Sequence, residues 1–346
     1  MKNPAAKKQC PLCEVYTERN AAKCPTCGSI FIDGGENVKT TGLSKSEMSS
    51  RISAARKRVR LYSLLTYLFI ITGFFGIGLL GRYVKIDALG GFALLFFIST
   101  TISCYAKGFL TKRVLDKLIK VNIVNEILAE TFELESYLPG GRIPNSQIDK
   151  SGLIGGWSWY TGSDLVRGKY KGVPVEFCDV ALAYDGIGSE NKSYAKTTFK
   201  GQWLEIGLKK PVSSAVYLAE RTGEIGATSV DVKTQVVKTE SDAFNKKYKI
   251  LAQDPTKAFY VLTPHFMEYI IAADNAADSI TYFCFAGNRV RIAMKNGRDL
   301  FDFGKLKKSM TLDWFRARIT SDVRNITGVI DELLRNEYLF GLKISN

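Results

Sequence analysis

The stretch Leu61–Gly81, LYSLLTYLFIITGFFGIGLLG, decides the fold: 21 residues without a charge, bounded by Arg60 and Arg82. At about 1.5 Å rise per residue a helix of this length spans roughly 32 Å, enough for a hydrocarbon core of about 30 Å. A second uncharged run, Ala88–Ala106, has 19 residues between Asp87 and Lys107, and only Arg82–Asp87 separates the two. The pair predicts a two-helix transmembrane hairpin, with spans 61–81 and 88–106. Buried helices of a soluble core are shorter and keep a polar stripe. Here 61–81 offers only Ser63, Thr66, Thr72, its glycines, Tyr62 and Tyr67 as polar relief. Some sixty residues and a cysteine cluster precede the run, which argues against a signal peptide.

Working outward, the flanks fix orientation through the positive-inside rule. Lys45, Arg51, Arg56, Lys57, Arg58 and Arg60 precede the first span, and Lys107, Lys112, Arg113, Lys117 and Lys120 follow the second. The loop holds only Arg82 and Lys85 against Asp87. Both ends are therefore expected in the cytoplasm, on a two-pass protein of the cytoplasmic (bacterial inner) membrane. The net charge of +14 is uneven: residues 1–120 hold 19 Lys+Arg and 7 Asp+Glu, whereas 121–346 hold 29 and 27. The basic excess sits beside the bilayer, where anionic headgroups contribute about 1 kcal/mol per basic residue. Overall charge gives the C-terminal region no claim on nucleic acid.

Upstream, Cys10-Pro11-Leu12-Cys13 and Cys24-Pro25-Thr26-Cys27-Gly28 form two C-x-x-C knuckles, holding four of the seven cysteines. Two residues between thiols let both sulfurs of a tight turn face one ion. Two such turns complete a tetrahedral sulfur set suited to zinc. Cys10, Cys13, Cys24 and Cys27 are the expected ligands of a structural Zn²⁺ in a small zinc ribbon over 1–32. Four protein ligands leave no open position for catalysis. So short a segment folds on metal-binding energy, and its thiols must stay reduced, consistent with the cytosol. Residues 33–50 are rich in Gly, Ser, Thr and Lys and read as a flexible linker, with Ser50 expected to cap a basic helix from Arg51.

Downstream, Leu115, Leu118, Ile119, Val121, Ile123, Val124, Ile127, Leu128 and Phe132 recur at helical spacing, extending the second helix to about Glu135 before Pro139-Gly140-Gly141. The hairpin with its basic flanks thus covers 51–135. From 160 the period becomes two. Strands are expected at Asp164–Tyr170, Val173–Tyr184, Lys196–Gly207, Val216–Arg221, Val230–Val237 and Tyr248–Ala252, with a turn at Lys171-Gly172. A further hairpin, Ser279–Ala286 and Arg289–Met294, is expected around Gly287-Asn288. Thr263 should cap a helix starting at Pro264, and a last amphipathic helix should run from Leu312 to Tyr338. Strands followed by helices predict an α+β cytoplasmic domain over 136–346.

An ordered series in this domain carries a resemblance: Thr198-Phe199-Lys200-Gly201, Glu240-Ser241-Asp242-Ala243-Phe244, Tyr248-Lys249-Ile250 with Asp254, and Ala258-Phe259-Tyr260-Val261-Leu262-Thr263-Pro264 with Phe266-Met267. It resembles the bacterial family of domain of unknown function 3137, some of whose members carry the mislabel galanin. The resemblance spans roughly 110–305 and implies a transmembrane pair before a cytoplasmic domain. It implies no catalytic residues, and the zinc ribbon stands outside it.

No P-loop, G-x-G-x-x-G, H-E-x-x-H or G-x-S-x-G motif occurs. His265 is the only histidine and the one candidate general base, without a paired acid or nucleophile at recognisable spacing. Asp299, Asp302, Asp313, Glu176 and Asp179 read as single carboxylates, and Cys104, Cys178 and Cys284 as packing residues. Trp157, Trp159, Trp203 and Tyr160 are candidates for either a groove or the core. The sequence points to a non-enzymatic, membrane-anchored scaffold, adaptor or sensor that contacts another membrane or cytoplasmic protein. Gly73, Gly76, Gly78 and Gly81 offer a close helix contact, either within the hairpin or between copies in a homo-oligomer. The alternatives are an enzyme with a site near His265, and lipid or nucleic-acid binding by the ribbon and residues 44–60.

Overall fold

The computed structural model describes residues 7–10, 16–18, 21–24, 30–32, 37–39, 43–83, 88–187, 193–221, 234–307 and 309–341. The chain divides into two compact units, Met1–Val124 with Phe303–Ala317, and Asn125–Asp302 with Arg318–Asn346.

In the first unit, β1 (Lys7–Gln9) pairs antiparallel with β2 (Tyr16–Glu18), and β3 (Ile30–Ile32) with β4 (Asn37–Lys39). Part of the expected linker is thus strand. The helix also begins earlier than expected. α1 covers Lys45–Tyr83, and the Ser44 hydroxyl, not Ser50, accepts the N–H of Glu47 at 3.2 Å. Ser50 lies inside the helix. α2 (Ala88–Ile119) runs antiparallel to α1: Leu43 reaches Asn122, Tyr62 meets Gly108, and the rings of Phe69 and Phe97 lie 6.5 Å apart. A Cβ at Gly108 would touch the Tyr62 side chain, whereas Gly73 faces open space. Gly76, Gly78 and Gly81 lie within α1, and their surroundings are not among those described.

The apolar stripe after α2 does not carry one helix to Glu135. A π-helical turn at Lys120–Val124 intervenes, α3 is Asn125–Thr131, and Glu133–Leu138 is a strand, β5. Buried Val121, Ile123, Val124, Ile127 and Leu128 mimic one period because the π turn shifts the face without breaking the run.

The second unit is a mixed α+β domain on a seven-stranded antiparallel sheet. Its strands are β5, β6 (Trp159–Tyr170), β7 (Val173–Ile187), β8 (Ser193–Glu220), β9 (Gln235–Val237), β10 (Tyr248–Ala252) and β11 (Ile280–Lys295). The order is β5-β6-β7-β8-β10-β9, with β11 on the other side of β8. Lys171-Gly172 turns β6 into β7, both at positive φ.

Two expected breaks are strands that run through. β8 joins Lys196–Gly207 to Val216–Arg221, and β11 joins Ser279–Ala286 to Arg289–Met294. Gly287, at φ 59°, forms a bulge against Val212 rather than a hairpin turn. Pro211 sits in the same irregular stretch, where a missing N–H costs no ladder bond.

Register assigns the two faces. Phe177, Leu204 and Ile292 form one fully buried rung; Cys178, Trp203 and Ala293 form the adjacent rung on the opposite face. On that opposite face Ile143, Ile148, Leu153 and Ile154, around α4 (Asn145–Ser151), cover Val180, Leu182 and Trp203. Helices α5 (Asp242–Lys247), α6 (Pro255–Val261), α7 (Pro264–Ala277), α8 (Leu312–Leu334) and α9 (Glu337–Phe340) complete the chain. The expected last helix is therefore two pieces, separated at Arg335–Asn336. Ser241, Asp254, Thr263 and Asn336 each cap a helix through a side-chain oxygen.

Candidate functional site

A polar rung of the sheet builds the most developed site. Asp179 on β7 stands opposite Gln202 on β8, and Gln202 opposite Met294 on β11. The neighbouring Gly201 lies where a Cβ would overlap the carbonyl oxygen of Met294, so the Phe-x-Gly step is a close backbone approach. Gln202 is fully engaged: its Nε2 donates to Asp179 at 3.1 Å and to the Arg298 carbonyl at 2.9 Å, and its Oε1 accepts from Asn296 at 2.6 Å. The Leu300 N–H donates to both carboxylate oxygens of Asp179, at 2.8 and 2.9 Å.

Above this floor lies a cavity of ≈ 50 Å³ lined by Asn296, Arg298, Asp299, Arg318, Asp322 and Asn325, among others. Arg318 pairs with Asp322 at 3.2 Å, and Lys200 with Asp299 at 3.0 Å. Burial raises the Asp179 carboxyl to about 8, reinforced by Asp164 and Asp299 and opposed by the Leu300 and Gln202 hydrogen bonds. It is therefore mostly protonated at neutral pH. Asp322 is also raised by burial, against the pull of Arg318. Asp164, fully buried at φ 59°, accepts from Tyr137 Oη at 2.6 Å.

A second charged group lies on the opposite face. Arg167, Glu176, Glu205 and Arg291 form one rung across β6, β7, β8 and β11. Arg167 bonds Glu176 at 2.8 Å, and Arg289 reaches Glu205 at 3.2 Å and Glu176 at 3.5 Å. Glu205 also accepts from Trp203 Nε1 at 3.2 Å. Its two carboxylates are each held by cations, the arrangement of a structural ladder.

The sequence-predicted residues scatter. The His265 side chain is 86% exposed in the first turn of α7, with Glu268 3.8 Å away, so no low-dielectric pocket surrounds it. Burial pushes the Cys178 thiol up to about 12 and the Cys284 thiol up to about 11, which leaves both unreactive as nucleophiles. Trp203 is wholly buried, Trp157 and Tyr160 pack against the core with their rings 6.3 Å apart, and Trp159 is half exposed. Glu176 and Asp179 are members of the two networks, and Asp299 lines the cavity, so the single-carboxylate reading is corrected for all three. Asp302 and Asp313 are exposed. Gln202, Asn296, Arg298, Arg318, Asp322 and Asn325 were illegible in sequence, because strand pairing and helix packing bring them together across more than a hundred positions.

Cys10 and Cys24 are buried; Cys13 and Cys27 lie outside the described residues. Among the described residues no three His, Cys, Asp or Glu converge as metal ligands. One helical segment among the described residues, Lys45–Phe75, is long and apolar enough to cross a membrane.

No curated protein matches the chain. The chain is similar over 60% of its length, and over 90% of the other, to the crystal structure of the mycobacterial trehalose monomycolate transport factor A, TtfA, at 10% identity and a TM-score of 0.32. The family described as "Protein of unknown function (DUF3137)", whose description assigns no enzymatic activity, matches residues 197–335, a segment that contains every residue lining the cavity.

Proposed function

We propose that this protein is a membrane-anchored cytoplasmic scaffold, adaptor or sensor that works through protein–protein contacts. One observation carries the reading. Leu61, Leu64, Leu68, Ile71 and Phe74 on α1, and Phe92, Leu95, Phe96, Ile102 and Phe109 on α2, all stand exposed. Water does not tolerate so long an apolar band, whereas lipid requires it. Two antiparallel helices with cations at their shared end, Arg56 to Arg60 and Lys112 to Arg113, support a two-pass anchor with both ends in the cytoplasm.

The second unit supplies a folded surface. The ribbon would add a second contact point on the same anchor, raising effective concentration at a shared partner. Cys10, Cys13, Cys24 and Cys27 would hold its zinc: their two C-x-x-C spacings suit a closed thiolate site, and Cys10 and Cys24 are buried. Zinc there would be structural. The partner would be another membrane or cytoplasmic protein, and α1 and α2 leave room for self-association.

Alkaline extraction of membranes from cells expressing the full chain tests the anchor, with accessibility labelling of tags at both ends. The chain should stay in the lipid pellet, and both tags should react only after permeabilisation. Recovery in a detergent-free soluble fraction, or labelling of either end in intact cells, would defeat the reading.

A further inference from the structure

The cavity over the Asp179–Gln202–Met294 rung has features that packing alone does not require. Arg298, on the segment that follows β11, lines it with an exposed guanidinium that makes no ion pair among the described residues, although its charge favours the ionised form of Asp322 across the cavity. Asn325, on the facing side of α8, presents a second uncommitted polar group. Arg318 lines the same space from one turn below Asp322.

The carboxylates are already accounted for. Asp322 is held by Arg318, Asp299 by Lys200, and Asp179 by Leu300 and Gln202. No three of them converge as metal ligands, which argues against a cation. A cavity of ≈ 50 Å³ accommodates several waters' worth of atoms, since about 10–15 Å³ on this measure holds one. That is the size of a tetrahedral oxyanion.

We propose that this cavity binds a small oxyanion of phosphate size, free or as the terminal group of a larger molecule. Arg298 supplies a charge-assisted clamp from the exposed side, Asn325 a neutral donor, and Arg318 a second positive charge. Glycine at 201 and the amide of Gln202 bring the strands close enough to form the floor. The charged and titratable groups around Asp179 are Asp164 on β6, Tyr137 on β5, Asp299 and Arg298 after β11, and Arg318 and Asp322 on α8. While Asp179 is protonated, Arg298, Arg318 and Lys200 offset Asp164, Asp299 and Asp322; its ionisation adds a further negative charge behind Gln202. Anion affinity should therefore fall as pH rises through about 8.

The test uses the full chain in detergent micelles, titrated calorimetrically with sulfate, which keeps its charge from pH 6 to 9, and with inorganic phosphate at pH 7. Glycerol phosphate in a parallel arm separates a free anion from a phosphate carried on a larger molecule. Saturable binding that weakens roughly ten-fold or more in Arg298→Gln, the worth of one charge-assisted contact, is expected. Lys249→Gln, on an exposed position of β10, should bind as the native chain does. Sulfate affinity should drop between pH 7 and 9, and Asp179→Asn should flatten that profile. No saturable binding, or equal affinity in the Arg298 and Lys249 variants, overturns the site; a pH profile unchanged by Asp179→Asn overturns the role of that carboxyl.

Discussion

The phenylalanines of the two units live under opposite rules. Phe74 and Phe92, on α1 and α2, are 78% and 72% exposed, whereas Phe177, Phe199, Phe283 and Phe285 in the sheet have no exposed surface. The sheet alternates: one face of β7 carries Phe177 and Asp179, the next Cys178 and Val180, and helices cover the apolar side chains of each. α1 and α2 show no such contrast along their apolar stretches, as the proposed anchor requires, since lipid on the outer face would ask for the same residues as a neighbouring helix. Apolar surface thus stabilises one unit by leaving water and, on the proposed anchor, would hold the other by meeting a different solvent.

Two glycines expose that difference most sharply. Gly201 has the Met294 carbonyl where a side chain would begin, and that backbone belongs to β11, paired along its length with β8. Gly201→Ala should cost about 4 kcal/mol, the size expected when backbone must shift in a packed sheet. Gly73 has nothing nearby, so Gly73→Ala should be neutral or mildly favourable to the helix. Thermal unfolding in micelles, followed through a reporter in the second unit, compares the pair. Equal midpoints would show that the strands at Gly201 are not packed as described.

The next contrast concerns solvent. Ile71 is exposed near the middle of the uncharged run. Ile71→Asp should raise the cost of insertion by about 3 kcal/mol, and the share of chain in carbonate-washed membranes should fall. On a soluble protein the same change would place a charge in water and alter little. Undiminished recovery in the membrane would therefore break the comparison at its root.

The period of a segment was legible; its interruptions were not. Twenty-one uncharged residues announce a span whatever they pack against. Alternation likewise marked Tyr248–Ala252 to the residue, and Thr263-Pro264 marked the start of α7. The failures fall where a local signal has two structural solutions. Gly287-Asn288 favours a turn, yet with β8 alongside it closes a bulge and the strand continues. The stripe from Leu115 to Phe132 fits one helix, yet a π turn fits it too. The cavity left no trace at all, since Gln202, Arg298 and Arg318 are ordinary residues until the sheet register and α8 bring them together.

Protonation supplies a third test, confined to the sheet domain. The folded carboxyl of Asp179 titrates near 8, well above the usual 3.8, so folding favours its protonated form. Its contribution is fully present below pH 3.8 and is lost as pH rises toward 8. Unfolding midpoints of the native chain should decline across that window, and Asp179→Asn should lessen the decline. A steeper fall in the variant would contradict a buried, raised carboxyl.

The smallest expected effects lie at helix starts, where the sequence predicted local chemistry well. Asp254 accepts the N–H groups of Thr256 at 3.0 Å and Lys257 at 3.3 Å, so Asp254→Ala should cost about 1 kcal/mol. His265, one helix later, also lies in a first turn, but its imidazole is largely exposed, with Glu268 3.8 Å away. His265→Ala should then change stability by less than about 0.5 kcal/mol, as surface substitutions do, and leave any cellular phenotype intact. The two variants differ in whether a backbone donor loses its acceptor, not in how near they sit to the sheet. A lost phenotype in His265→Ala at undiminished stability would place chemistry at a solvated ring that nothing buried supports, and the non-enzymatic reading would fall with it.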